Sequence, residues 1–232
     1  MSTTRENRLS MAMENYLLSI IRLKEQDTRV TAVQLSEHFK SLPMGEGLGT
    51  SLPSVSAMIR RMTREKLVTT SSEKEISLTK SGLTEAESIL RRHRLAERLA
   101  VDVLKVDLKR AHEEAHRLEH AFSPYLESRV VDILDHPTTC PFGHPIPGSN
   151  YVPNRFSFSL NKAKVGHDYL VDMLPEDDME LLGYFVDNDF LPGSHIQITD
   201  LSNSRGVITL KLGNKELVFS MGISNLIRVT PA

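Results

Sequence analysis

Between Ala111 and His120 a histidine recurs every fourth residue, at His112, His116 and His120, with carboxylates set between them. The spacing has a meaning only on an α-helix. There a step of four advances about 400°, so the three rings form one slowly drifting stripe. Glu119 follows His116 by three residues on the same side, so His116, Glu119 and His120 could converge on one cation. Any one of these histidines alone is most often a satisfied surface or core side chain; the whole stripe points to metal binding. The stretch His112-Glu113-Glu114-Ala115-His116 also reads as H-E-x-x-H, the signature of zinc proteases. That motif is short and arises by chance on charged helices, so the surrounding chain must decide its meaning.

The 232 residues leave room for two domains or one large one, and 40% hydrophobic with 25% charged residues suits a soluble globular protein. No apolar run approaches the roughly 20 residues that span a bilayer. The start, Met1 to Arg8, has no apolar signal core behind it, and one cysteine, Cys140, excludes an internal disulfide framework. The expected location is the cytoplasm, with no membrane partner. Charge is unevenly spread. Residues 1–98 carry 16 Lys and Arg against 12 Asp and Glu, whereas residues 166–190 carry eight Asp and Glu and no Lys or Arg. A mildly basic front and an acidic back suggest modules with different tasks.

Apolar residues at helical spacing predict a first helix from about Arg8 to Glu25, and Thr31 suits the N-cap of a second over Ala32 to Lys40. Ser41 to Thr50, with three glycines and a proline, reads as a loop. Helix resumes from Ser51 to Lys66, with Pro53 in its first turn. Val55, Met58, Ile59 and Met62 form its buried stripe, leaving small polar residues and arginines outside. Two short strands, Leu67 to Thr70 and Glu75 to Thr79, follow around a polar turn. Helix, short helix, polar-faced helix and hairpin is the order of a winged helix-turn-helix, whose third helix enters the major groove while hydroxyls and arginines hold phosphates. A generic three-helix bundle with a solvated arginine face is the alternative.

Next come a long helix from Lys80 to about Leu104, carrying His93 and Glu97, a helix from Leu108 to Phe122 holding the histidine stripe, and a third over Tyr125 to Leu134, opened by Ser123-Pro124. Their apolar stripes exceed what one small core needs, which suggests a dimer interface. Five prolines between His136 and Pro153 mark a linker. Beyond it, Pro175 to Phe185 reads as a short helix with an acidic start. Segments 195–199, 207–212, 216–220 and 226–229 read as strands of a small β-barrel.

The segments His93-Arg94-Leu95-Ala96-Glu97-Arg98-Leu99, His112 to His120 and Pro141-Phe142-Gly143-His144-Pro145-Ile146-Pro147-Gly148 resemble the signature segments of the diphtheria-toxin-repressor family (DtxR, IdeR and MntR type), which are metal-dependent transcriptional repressors. The resemblance covers nearly the whole chain. It implies a mainly α fold with a small β domain. Residues 1–79 would be the winged helix-turn-helix, 80–136 a helical dimerisation and metal-binding domain, 137–160 a proline-rich linker and 161–232 an SH3-like or FeoA-like barrel. It implies two metal sites. The activating site maps onto Asn15, His116, Glu119 and His120, with Glu14 as a neighbouring carboxylate. The ancillary site maps onto His93, Glu97 and His112, with further oxygen ligands at Asp172 and Glu176. DNA contacts map onto Ser51, Pro53, Ser54, Ser56, Ala57, Arg60, Arg61 and Arg64.

Asn15 stands where relatives carry a thioether or a carboxylate, and His116 where better-known members carry a thiol or a carboxylate. The activating site then contains no sulfur. Oxygen and imidazole ligands suit Mn²⁺ first and Fe²⁺ next, with Zn²⁺, Co²⁺ or Ni²⁺ able to bind in vitro. Ala57 could touch only a thymine methyl, so operator choice would lean on phosphate geometry and DNA shape. The expected function is a metal-responsive repressor and not an enzyme: a homodimer on a palindromic double-stranded operator, controlling manganese or iron uptake genes. The rivals are a zinc metalloprotease with His112 and His116 as ligands and Glu113 as base, and a winged-helix protein not gated by metal.

Overall fold

The computed structural model describes residues 9–41, 48–176 and 178–232. Arg8 and most of the glycine-rich loop expected over 41–50 lie outside them. The chain divides into two compact units, residues 1–93 with 117–122, and residues 94–116 with 123–232. The division runs within two helices, whereas the sequence reading divides the chain between elements.

In the first unit, α1 (Met11–Glu25), α2 (Ala32–Ser41) and α3 (Leu52–Arg64) precede a hairpin of β1 (Val68–Thr70) and β2 (Ile76–Leu78). This is the winged helix-turn-helix order. α3 starts where expected because Ser51 is its N-cap, accepting the amide of Ser54, and proline occupies the first turn. Val55, Ile59 and Met62 point into one core with Tyr16, Leu17 and Ile20 of α1 and Leu35 of α2. The hairpin pairs Val68 with Leu78 and Thr70 with Ile76. Ile76 donates its amide to the Val30 carbonyl at 2.8 Å, which fixes the wing to the chain before α2. Gly82, at the start of α4 (Lys80–Arg98), lies against the end of α3's turn: a Cβ there would meet the Leu67 carbonyl oxygen at 1.8 Å.

The long helix differs from expectation at its end. After Arg98 it widens into a π-helical turn over Leu99–Val103, and Lys105 then takes a left-handed φ of 58°. α5 (Leu108–Leu118) also stops short of Phe122 and tightens into a 3₁₀ turn over Glu119–Ala121. The chain must reverse there, because Ser123 caps α6 (Pro124–Ile133) two residues later. A last turn of three residues per repeat is a common way to end a helix before such a reversal.

The second unit ends in a six-stranded antiparallel sheet, ordered β3 (Phe158–Ser159), β8 (Arg228–Pro231), β4 (Asp168–Met173), β5 (His195–Ser202), β6 (Val207–Leu212) and β7 (Lys215–Ser220). Its core contains Val171, Phe185, Phe190, Ile198, Leu210, Phe219 and Val229. α7 (Met179–Asp187) is the acidic-started helix, capped by Asp178, which accepts the Leu181 amide. α8 (Met221–Leu226) takes the residues just before β8, so the last strand starts later than its apolar pattern suggests. The mainly α fold with a small C-terminal β domain is therefore present.

Candidate metal centre

The first unit gathers its ligand-type side chains from three elements. α1 supplies Glu14 and Asn15, α4 supplies Arg92 and His93, and the 3₁₀ turn supplies Glu119 and His120. Glu14, Asn15, Arg92, His93 and Glu119 are all buried. His120 Nδ1 donates to Glu14 Oε2 at 2.6 Å, and His93 Nδ1 donates to Glu119 Oε2 at 2.5 Å. A carboxylate accepts, so Nδ1 of each ring is the donor in these bonds. His120 Nε2 stands 3.3 Å from Glu119 Oε1. Asn15 Oδ1 is buried with no hydrogen-bond partner among the described residues. A buried acceptor left so is costly unless something meets it. Carboxylate, amide oxygen and imidazole are donor types that suit a divalent cation.

Glu14 is held as an anion. Burial alone would raise its pKa, but hydrogen bonds from His120 and Arg92, with the charge of Arg92, outweigh burial and bring it below the usual 4.5.

The second unit holds another set. His112 Nδ1 donates to Glu97 Oε1 at 3.0 Å, and His112 Nε2 lies 3.2 Å from His116 Nε2 on the same face of α5. That face arises as expected from the four-residue spacing. Two Nε2 atoms at this distance can ligate one ion, and the carboxylate on the far nitrogen of His112 sets the ring's tautomer. Glu97 also belongs to a fully buried group with Cys140 and Glu176, in which one ligand atom of each lies within 4.8 Å of the others. Cys140 Sγ is 3.6 Å from Glu176 Oε2. Burial, and after it the charges of Glu97 and Glu176, push the Cys140 thiol well above its ordinary value of 9.0.

The proline-rich segment is held to α4 by hydrogen bonds. Arg98 donates to the carbonyls of Thr139 at 2.7 Å and Cys140 at 3.2 Å, and Arg94 donates to Pro145 at 2.6 Å. Gly143, with φ of 91°, lets the segment lie flat on the end of β4, where a Cβ would meet the Asp172 carbonyl oxygen at 2.1 Å. Sequence reasoning did not assign Cys140 a ligand role. Its position next to the quoted Pro141-to-Gly148 segment was the signal available.

The sequence-derived residues are distributed as follows. Glu14, rather than Asn15 alone, meets His120. His93, expected in the ancillary set, bonds Glu119 of the activating set, and His116, expected in the activating set, faces His112 of the ancillary one. Glu119 and His120 sit on a 3₁₀ turn and do not continue the α-helical stripe. Glu176 joins Glu97, whereas Asp172 accepts the hydroxyl of Ser157 and is outside that group. On α3, Ser51, Pro53, Ser54, Ala57, Arg60, Arg61 and Arg64 are exposed and Ser56 half-buried. Arg61 is paired with Glu65 at 3.1 Å. A groove between α3 and the hairpin is lined by Ser56, Ala57, Arg60, Arg64, Thr70 and Lys74.

Comparison with known proteins gives a consistent result. Residues 79–148 match the family described as iron dependent repressor, metal binding and dimerisation domain, and residues 158–231 match the FeoA domain. The chain is 28% identical over 227 residues to the diphtheria toxin repressor of Corynebacterium diphtheriae, covering 93% of this chain and 95% of that one. It is 38% identical over 142 residues to the iron-dependent repressor IdeR of Mycobacterium tuberculosis, covering 61% of this chain and 58% of the relative. Among solved structures, a manganese-dependent transcriptional repressor in complex with manganese superposes with a TM-score of 0.82 at 26% identity, covering 95% of this chain and 100% of the other.

Proposed function

Because this chain belongs to the diphtheria-toxin-repressor family of metal-dependent transcriptional repressors, we propose that it works as a homodimer that binds a palindromic operator once divalent cations fill its ligand sets. A metal-responsive repressor is the function of the family; its members are transcriptional regulators. Mn²⁺ is the first candidate and Fe²⁺ the next, and the genes controlled would serve uptake of that metal. One relative is named for iron and a neighbouring structure contains manganese, which supports both. No helix among the described residues is long and apolar enough to cross a membrane. We place the repressor in the cytoplasm, with its DNA.

The reading rests on one observation: the 2.6 Å bond from His120 on the 3₁₀ turn to Glu14 on the first helix. α1 shares its core with α3 through Tyr16, Leu17 and Val55. The residues that would hold a cation therefore include a part of the DNA-binding module itself. Glu14, Asn15, Glu119 and His120 would hold the first ion, with His93 orienting Glu119. Glu97, His112, His116, Cys140 and Glu176 would serve the second set. Asp172 binds Ser157 through one oxygen and lies outside that group. When bound, the cation supplies positive charge that offsets buried carboxylates and fixes their geometry. The chain's own task is to make α1 sensitive to that geometry.

Two recognition helices must lie about one DNA turn apart, or a multiple of it, before both can dock. Ligands that favour the docking-competent arrangement shift the population toward it. In that arrangement Ser51, Ser54, Arg60, Arg61 and Arg64 would meet phosphates, with Pro53, Ser56 and Ala57 toward the groove floor. Val103, Leu104, Tyr125, Leu126 and Ile133 stand exposed in the second unit and would supply apolar surface for the dimer.

The test is operator binding by metal-stripped protein at fixed salt, titrated separately with Mn²⁺, Fe²⁺ and Zn²⁺. Candidate DNA comes from upstream of its own gene and of metal transporters. Binding switched on at micromolar metal supports the reading and names the metal. Equal binding with and without metal overturns it.

A further inference from the structure

Arg92 stands inside the first ligand set without being a ligand. It is buried on α4, and its guanidinium bridges two other elements. Nη2 donates to Glu14 Oε1 at 2.8 Å and Nη1 donates to the Glu119 carbonyl at 3.2 Å. One oxygen of Glu14 is thus taken by Arg92 and the other by His120. A guanidinium cannot release its proton at any working pH, and its planar fork holds two acceptors in fixed directions. A buried carboxylate needs a counter-charge, and here the chain supplies a permanent one.

We propose that Arg92 is the resident counter-cation of the metal-free protein: an internal competitor for Glu14 that sets how much metal is needed to fill the site. This rests on the reading of Glu14, Glu119 and His120 as metal ligands. The fork does two jobs. It ties α1 to the 3₁₀ turn before metal arrives, so the empty site is held together. It also places a fixed positive charge beside the position a divalent cation would take, and like charges at such range weaken each other's binding. A cation entering must draw Glu14 away from the guanidinium or share it. Both oxygens of Glu14 are engaged before metal arrives, so entry exchanges one counter-charge for another. A site so arranged answers only to metal above a threshold, as a sensor of surplus requires.

Two variants separate charge from geometry. Arg92→Gln keeps a donor toward Glu14 and removes the charge. Arg92→Lys keeps the charge and loses the fork. Mn²⁺ affinity is read by competition with a fluorescent chelator, and melting temperature is read on each metal-free protein. The expected result is roughly tenfold tighter Mn²⁺ binding for Arg92→Gln, near wild-type affinity for Arg92→Lys, and lower metal-free melting temperatures for both. Arg92→Gln binding Mn²⁺ no tighter than wild type, or the two variants binding alike, overturns the proposal. Glu119→Gln is the control for the underlying reading. If it leaves wild-type Mn²⁺ affinity unchanged, the ligand assignment itself has failed, whatever the Arg92 variants do.

Discussion

His120 Nδ1 and Glu14 Oε2 meet at 2.6 Å although 106 residues separate them in the chain. No other polar contact described for the first unit spans so much sequence. It joins the first helix to the turn after the histidine helix, and its two residues are both of metal-ligand type.

Removing Glu14 should separate those roles. Glu14→Ala leaves Arg92 buried without its carboxylate, a defect of the order of 3 kcal/mol. The expected result is a melting temperature several degrees lower in the metal-free protein, together with loss of the metal response in operator binding. His120→Ala should lose the response with a smaller fall in stability, since His120 is the more exposed partner. Glu113→Gln should bind operator like wild type with the same metal requirement; a loss would return attention to the H-E-x-x-H motif.

Cys140 should be chemically silent in the folded protein. It is buried, and burial with two neighbouring carboxylates keeps its thiol protonated. An Ellman reagent at pH 8 should label less than a tenth of the chains in the native metal-free protein and all of them in guanidinium chloride. Should Zn²⁺ or Cd²⁺ use this thiol, binding must deprotonate it. Calorimetry in buffers of different ionisation heat should then detect one proton fewer released by Cys140→Ser.

Tyr16 predicts the alkaline limb of stability. Its side chain sits in the helical core, and burial raises its pKa from 10.0 to about 12. Between those values the unfolded chain has lost the phenolic proton and the folded chain still holds it. The unfolded state then binds fewer protons, so stability falls as pH rises through 10 toward 12, by roughly 3 kcal/mol over the window. Tyr16→Phe should remove that slope in denaturant titrations at pH 9, 10 and 11.

Arg60 and Arg64 are exposed on the face of α3 beside the wing groove. Arg60→Ala and Arg64→Ala should weaken operator and unrelated DNA to a similar degree. Each should lower the slope of log affinity against log salt by about one. Anisotropy at four salt concentrations measures this; an unchanged slope for both would move the DNA face elsewhere.

Much of the fold is legible because its causes are local. Ser51, Ser123 and Asp178 cap the helices they precede, and each accepts the amide three residues on. Val55, Ile59 and Met62 recur at the spacing that puts them on one side of α3, and they are buried there. The π turn at Leu99–Val103 and the 3₁₀ turn at Glu119–Ala121 were not legible. Both sit inside continuous helical patterns, and what bends them is where the chain must go next. α8 was hidden likewise, because Leu226, its last residue, also fits the apolar pattern read as a strand over 226–229.

The sequence by itself determined which residue types could ligate a cation and which helix face would carry His112 and His116, since helical geometry acts over four residues. It determined the family through short motifs. Only the tertiary structure decided the partners: Glu14 for His120, Arg92 for Glu14, Glu176 for Cys140 and Ser157 for Asp172. The reason is physical. A buried charge must find a partner to offset lost hydration, and which side chain stands opposite is fixed by packing among segments far apart in the chain, where no local periodicity reaches.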